Sequence, residues 1–279
     1  MAYSEKQIRI TISVEGEVHT FAGFACAVRV KRQGAPELPS LEARIWGLSE
    51  ARLAQLTMLS FNALSLKENR IIVEAGEGGN LSKVFEGEIT NSVPDFNAAP
   101  SPVLNIEAIT AAYAKREASP PIAVNGAQSA ASLSEGIARE AGFTFHNEGV
   151  NASIQNAVIN GDPVSKLMWI ANTVGADLVF DDQEVSLIPA NGSRGPAAAV
   201  TLISPETGQI GYPSFDSMGI QCRTLFRPDL RIGGTVQIQS RLPRATGAWK
   251  LYALEHNLTA YLPGGGKWET LFSGTWLGD

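Results

Sequence analysis

The chain has 279 residues, a charged fraction of 18%, a net charge of −6 and a pI near 5.2, with 44% hydrophobic residues. That composition excludes a disordered, charge-dominated chain, and the acidic balance is the opposite of the basic footprint that nucleic-acid binding leaves. Charge lies below the roughly 25% of an average soluble domain, which suits a surface largely covered by copies or neighbours and equally a plain acidic monomer. Cys26 and Cys222 can build neither a disulfide scaffold nor a four-thiolate metal site and read as buried filler. No apolar run approaches 18 residues, so neither a signal peptide nor a membrane anchor is expected, and synthesis in a cytoplasm follows.

In chain order, Ile8, Ile10, Ile12 and Val14 alternate with Arg9, Thr11 and Ser13, as a half-buried strand requires. Glu15-Gly16-Glu17 turns the chain into Val18 to Phe24 and Cys26 to Val30, and Leu41 to Trp46 is a further strand. Ser49 caps a helix with Leu53, Leu56, Leu59 and Leu64 on one side. Strands return at Arg70 to Ala75, Lys83 to Asn91 and Val103 to Ala112. Beyond Ala118-Ser119-Pro120-Pro121 the pattern becomes helical. Ser132 with Glu135 has capping-box spacing, Gly142 is a helix stop, and Asp162-Pro163 opens a second helix through Val164, Leu167, Met168, Ala171 and Val174. Leu178 to Phe180 and Val185 to Ile188 pair as a hairpin, before the linker Asn191 to Pro196. The remainder is strands and Gly/Pro turns. The fold class is therefore mainly β with an α+β insert, divided at 1–115, 116–196 and 197–279.

One internal match stands out. Gly79 to Ile89 aligns without gaps on Gly266 to Trp276, pairing Gly79, Leu81, Phe85 and Gly87 with Gly266, Trp268, Phe272 and Gly274. The pattern predicts two barrels of one type, with Phe85 and Phe272 in equivalent buried positions.

Chemistry is not legible. His19, His146 and His256 are isolated, and no zinc spacing or nucleophile elbow occurs. Gly76-Glu77-Gly78-Gly79 misses the dinucleotide fingerprint, and Pro263-Gly264-Gly265-Gly266-Lys267 lacks both the first glycine and the Ser or Thr of a phosphate loop. No catalytic residue, cofactor or metal is assigned. Asp177, Asp181, Asp182 and Glu184 could supply carboxylates to a calcium or glycosidase site, but a solvated hairpin tip accounts for them. From 220 to 250 the charge reverses: Arg223, Arg227, Arg231, Arg241, Arg244 and Lys250 face only Asp229, a candidate interface for an acidic neighbour or ordinary edge protection.

Thr207-Gly208-Gln209-Ile210-Gly211-Tyr212-Pro213, then Gly219-Ile220 and the run from Leu225 through Pro228 and Gly233 to Ile238, resembles the C-terminal barrel of baseplate hub proteins from contractile-tailed phages. His256-Asn257-Leu258 followed by Pro263-Gly264-Gly265 and Trp268 fits the same pattern. Ile45-Trp46-Gly47-Leu48-Ser49, Ala75-Gly76 and Leu81 to Gly87 are similar to the barrel shared by tail tube, distal tail and hub proteins. The resemblance extends to Mu-like hubs and the hub part of VgrG-type spikes. It implies two tail-tube-like β-barrels flanking the small α/β module, and a homotrimer whose six barrels adapt a sixfold tail tube to a threefold spike around a central channel. It also implies a virion protein assembled in the host bacterial cytoplasm. Its partners are then itself, a tail tube or distal tail protein above, a spike below and baseplate wedge proteins around, with tape measure protein or DNA only in transit and no membrane anchoring. The alternatives are a virion-associated carbohydrate-binding module or hydrolase using residues 177 to 184, or the hub of a bacterial contractile injection system.

Overall fold

A computed structural model describes residues 4–14, 16–57, 69–98, 102–195 and 200–277. Its first part comprises β1 (Lys6–Val14), β2 (Glu17–Ala22), β3 (Cys26–Gln33), β4 (Ser40–Trp46), α1 (Glu50–Gln55), β5 (Arg70–Glu77), β6 (Asn80–Asp95) and β7 (Val103–Ile109). The middle holds β8 (Ile122–Ser129), α2 (Ala130–Glu140), β9 (Thr144–Asn147), β10 (Ser153–Ile159), α3 (Pro163–Val174), β11 (Ala176–Asp181) and β12 (Glu184–Pro189). The last part is β13 (Thr201–Ile203), β14 (Ser214–Phe215), β15 (Ile220–Leu225), β16 (Thr235–Ile238), β17 (Gly247–Ala260) and β18 (Trp268–Trp276).

The period-two stretches form strands, because alternation lets one face enter a core while the other stays wet. In β3, for example, Cys26, Val28 and Val30 point inward and are buried, whereas Arg29 and Gln33 are exposed. The helices follow their caps. Ser49 accepts from the Arg52 amide, and Asp162 accepts from the Ser165 amide with Pro163 in the first turn. α2 starts earlier than the Ser132/Glu135 spacing suggests. Ser129 ends β8 and caps the helix by accepting from Ser132 N, so Ser132 lies in the first turn. Leu59 and Leu64 lie outside the described residues.

Among the described residues, thirteen strands form one sheet, ordered β14-β15-β18-β17-β3-β4-β7-β6-β5-β1-β2, with β16 branching from β17 and β13 from β16. Following the branch, the last part reads β14-β15-β18-β17-β16-β13 and the first part reads β3-β4-β7-β6-β5-β1, then β2. The two orders agree strand for strand, and so does the order along the chain once β2 is set aside. The molecule is thus two barrels of like topology, mainly β, around an α+β insert. One difference is that β13 runs parallel to β16 where β1 runs antiparallel to β5.

This correspondence corrects the sequence repeat. The gapless match lays β6 on β18, but strand order places β6 with β17 and β7 with β18. Phe85 and Phe272 are both buried, yet on non-corresponding strands: Phe85 lies opposite Val73 of β5 and Phe272 opposite Leu254 of β17. The pattern reports shared local physics. Each second hairpin strand needs a large inward residue and a glycine where backbone comes close: a Cβ on Gly87 would stand 3.0 Å from the Ile109 carbonyl, and one on Gly274 3.2 Å from that of Lys250.

Three cores interleave along the chain. The first barrel's core takes in Leu258, Ala260 and Trp268 from β17 and β18. The insert's core is built on α2, α3, Leu178, Phe180, Val185 and Leu187. The second barrel's core includes Val179 and Ile188, from the other face of the same β11–β12 hairpin.

Glycine chemistry separates two substitutions. Gly219, at the β14–β15 turn, has φ +151°, and a Cβ there would meet the Gly274 carbonyl oxygen at 2.1 Å. Gly136, inside α2, has nothing within 4 Å of its Cβ direction. Urea denaturation should therefore show Gly219→Ala losing about 2 kcal/mol or more and Gly136→Ala gaining roughly 0.5–1 kcal/mol; equal effects would contradict the packing.

Candidate functional site

The β11–β12 hairpin runs between the barrels, and its tip is a buried charge cluster. Four segments converge on it. Arg32 ends the inward row of β3, and its Nη2 donates to the Val84 carbonyl at 2.6 Å and to Asp182 Oδ1 at 3.0 Å. Its Nη1 pairs with Asp181. Arg194, in the segment after β12, donates from Nη1 to Asp181 Oδ2 at 2.7 Å and from Nη2 to Glu184 Oε2 at 2.9 Å. Arg231, between β15 and β16, lies 3.5 Å from the same Glu184 oxygen. On the first barrel, the Glu86 amide donates to Asp182 Oδ1 at 2.9 Å, and Lys83 Nζ bridges Glu86 and Asp182 at 2.8 and 3.6 Å. Burial pushes the Arg32 and Arg194 guanidiniums below their ordinary pKa.

The acidic residues are therefore not a solvated tip. Asp181 is buried, and Asp182, in a left-handed turn conformation at φ +56°, is tied to the first barrel. Asp177 binds Lys250 Nζ at 2.7 Å, and that buried ammonium also donates to the carbonyls of Pro189 and Ala190. Asn191 to Gly195 is equally no loose linker, since Arg194 N donates to the Gly233 carbonyl at 2.7 Å; Pro196 lies outside the described residues. On the insert's other side, buried Lys166 holds the Ser119 hydroxyl and the Pro120 carbonyl.

The basic stretch is likewise partly spent inside the chain. Arg227 clamps Asp229 with Nε and Nη2 at 2.9 and 2.8 Å, Arg231 joins the cluster, and Lys250 is buried. Arg223 makes a 3.8 Å contact with Glu269, and Arg241 and Arg244 are exposed.

The hub-like motif residues are mostly structural. Gly208 accepts from Thr224 Oγ1 and Leu225 N, fastening the segment ahead of β14 to β15. Gly211 and buried Pro213 continue that segment, while Leu225 and Pro228 are exposed. Gly233, at φ +78°, sits where a Cβ would press on Ile188 of the hairpin. His256 is buried where β17 passes from one core to the other. Its Nδ1 lies 2.8 Å from Thr270 Oγ1, and its ring meets Phe226 edge-on. Burial, then the Arg32 charge, pulls its pKa down to about 3, so it is neutral. Among the repeat residues, Gly79 makes the β5–β6 turn, Leu81 is half-buried in β6, Gly266 lies ahead of β18, and Trp268 is buried at its start.

Arg32, Lys83 and Arg194 escaped the sequence reading, although one signal was available. Arg32 falls on the inward parity of Cys26, Val28 and Val30, and Lys250 stands inside the apolar run Trp249-Lys250-Leu251. A charge at an inward position marks a buried ion pair. Among the described residues, no group of three or more His, Cys, Asp or Glu could hold a metal ion, and no helix is long and apolar enough to cross a membrane. The Cys26 and Cys222 thiols are pushed up to about 12 and about 11 by burial.

The family model of the baseplate hub gp41 matches residues 8–261. No curated protein matches the sequence. Among solved structures, a tail protein from Neisseria meningitidis MC58 superposes with a TM-score of 0.65 at 12% identity, covering 96% of each chain. The 43 kDa tail protein of prophage MuSo2 from Shewanella oneidensis gives 0.63 at 10%, covering 96% of this chain and 97% of that one. The E. coli c3393 protein, a component of the type VI secretion system described as similar to T4 tail proteins gp27 and gp5, gives 0.62 at 10%, covering 90% of this chain and 73% of that one.

Two outcomes follow from the geometry. Arg32→Met leaves two buried carboxylates short of a partner and should cost about 3–5 kcal/mol, whereas Arg9→Met, which breaks the exposed pair with Glu74, should cost less than about 1 kcal/mol in the same denaturation experiment. For His256, the unfolded chain takes up a proton near pH 6.5 while the folded one resists until about 3. Stability is then full above pH 6.5 and falls by up to roughly 1.4 kcal/mol per unit below it. His256→Gln should flatten that slope between pH 6.5 and 5; an unchanged slope would contradict a neutral buried ring.

Proposed function

The chain belongs to the baseplate hub gp41 family, and from that premise we propose that it acts as a homotrimer whose six barrels ring a central channel, joining a sixfold tail tube to a threefold spike. A structural component of a phage tail baseplate is what the family provides; the number three and the adaptor role are our reading. The observation that carries it is the strand order occurring twice in one chain. Two barrels of like topology let three chains occupy six quasi-equivalent places, as a six-to-three transition needs.

In this reading a tail tube or distal tail protein stacks above, a spike binds below, and wedge proteins surround the insert. Tape measure protein and DNA pass through without being held. Arg223, Arg241 and Arg244 face acidic surface on a neighbour, and assembly takes place in the host cytoplasm. The hub is not an enzyme: Asp177, Asp181, Asp182 and Glu184, the carboxylates a hydrolase would need, are engaged by Lys250, Arg32, Arg194 and Arg231. Purified protein should leave peptidoglycan intact, and cleavage lost in Asp182→Asn would refute this.

Stoichiometry tests the trimer. Quantitative mass spectrometry of purified tails should find this chain at half the number of tube subunits in a single ring. Parity with that ring, or one copy per tail, would refute the proposal.

A further inference from the structure

The two barrels of one chain are joined by backbone pairing between β17 and β3, and the like topology says where an equivalent joint should form between chains. We propose that the free edge of β6, from Thr90 to Asp95, pairs antiparallel with β14 of a second copy, Asp95 lying opposite Ser214 and Pro94 opposite Phe215. This rests on the trimer reading and assigns its contact surface.

The register follows from the pairings. β16 stops pairing with β17 at Thr235↔Lys250, as β5 stops with β6 at Arg70↔Glu88. Immediately beyond, β17 has a bulge at Tyr252 against β18, and β6 has one at Thr90 against β7. Lys250 thus corresponds to Glu88 and Tyr252 to Thr90, which makes Pro94 the counterpart of His256 and Asp95 that of Asn257. On the facing side, Leu41↔Ala108 in the first barrel matches Ile220↔Gly274 in the second. Val30 pairs with Leu41, and Phe215 pairs with Ile220, so Phe215 is the counterpart of Val30 and Ser214 that of Arg29. Within the chain His256 lies opposite Val30 and Asn257 opposite Arg29. Transferring those two pairs gives the register proposed.

Surface chemistry on both edges agrees. Among the described residues, β6 beyond Ile89 pairs on one side only, with β7. β14 is the terminal strand of the sheet. Unpaired edges invite another strand, and Pro94, which has no N–H, leaves its place in the joint without a donor. Large apolar side chains are exposed at both places: Phe96 at 56%, just past β6, and Tyr212 at 67% and Phe215 at 50% around β14. The transferred register sets Phe96 beside Pro213 and Asn97 beside Tyr212 of the second copy, covering these surfaces. The contact joins different surfaces head to tail, the kind of contact from which a ring, and not a twofold dimer, is built.

Cysteine pairs test it in assembled tails. Directly opposed strand residues bring Cβ atoms within about 5 Å, so tails carrying both Asp95→Cys and Ser214→Cys should give covalent dimers and trimers under mild oxidation, at least tenfold above either single variant. The buried native thiols give no background. Asn91→Cys with Ser214→Cys is about four residues, roughly 13 Å, out of register and should stay at background. Three copies per tail without the first cross-link, or cross-linking of the second pair, would overturn the edge pairing while leaving the trimer; a copy number other than three would overturn both. Should the cysteine variants fail to assemble, hydrogen exchange on the unsubstituted protein decides: those amides of residues 90–93 and 95 that do not already bond β7 should slow at least tenfold between free chain and tail, and unchanged exchange would overturn the inference.

Discussion

Everything in this fold hangs on β17. Its first residues pair with β16 and its later ones with β3, while β18 runs along the opposite side. Trp249, Leu251 and Leu254 enter the second barrel's core, and Leu258 and Ala260 enter the first. The barrels are therefore not two domains on a linker. A shared strand fixes their relative orientation through backbone hydrogen bonds, which tolerate little tilt, where linked domains would move by default. His256 stands at the crossing, where both cores exclude water, and it stays neutral for that reason.

The α/β insert supplies the second constraint. Its β11–β12 hairpin is apolar on both faces, giving Leu178 and Phe180 to one core and Val179 to another. A strand buried on both sides cannot slide without exposing one of them. The charge cluster at its tip then ties down the end: Arg32, Glu86 and Lys83 from the first barrel, Arg194 from the segment after β12 and Arg231 from the second barrel all meet Asp181, Asp182 or Glu184. Desolvation offsets much of the attraction in such pairs, so the cluster acts chiefly by making displaced arrangements costly. Lys250 with Asp177 repeats the arrangement at the hairpin's other end.

Much of this was legible in the sequence, for reasons particular to each element. The alternation of Ile8, Ile10 and Ile12 and the cap Asp162-Pro163 are local signals, and local physics fulfilled them. Partner choice is not local. Nothing in the residues of β4 says that its neighbour is β7, and the Phe85/Phe272 match was misleading because hairpins of any parentage need the same inward aromatic and close-approach glycine. The charge cluster was missed for a related reason: Asp181 and Asp182 read as a wet turn until Arg32, about 150 residues earlier in sequence, is placed against them. The hub-like run from Gly208 to Gly233 was readable as a pattern, while its role in holding β14, β15 and the hairpin together depends on contacts across the fold.

The most direct test of the account is a cryo-EM reconstruction of the tail tip without imposed symmetry. If one chain supplies two quasi-equivalent barrels, density around the channel should repeat every 60° at the barrels and only every 120° at the α/β insert. An insert beside every barrel, or a ring in which the two barrels of a chain do not superpose by a 60° rotation, would contradict it.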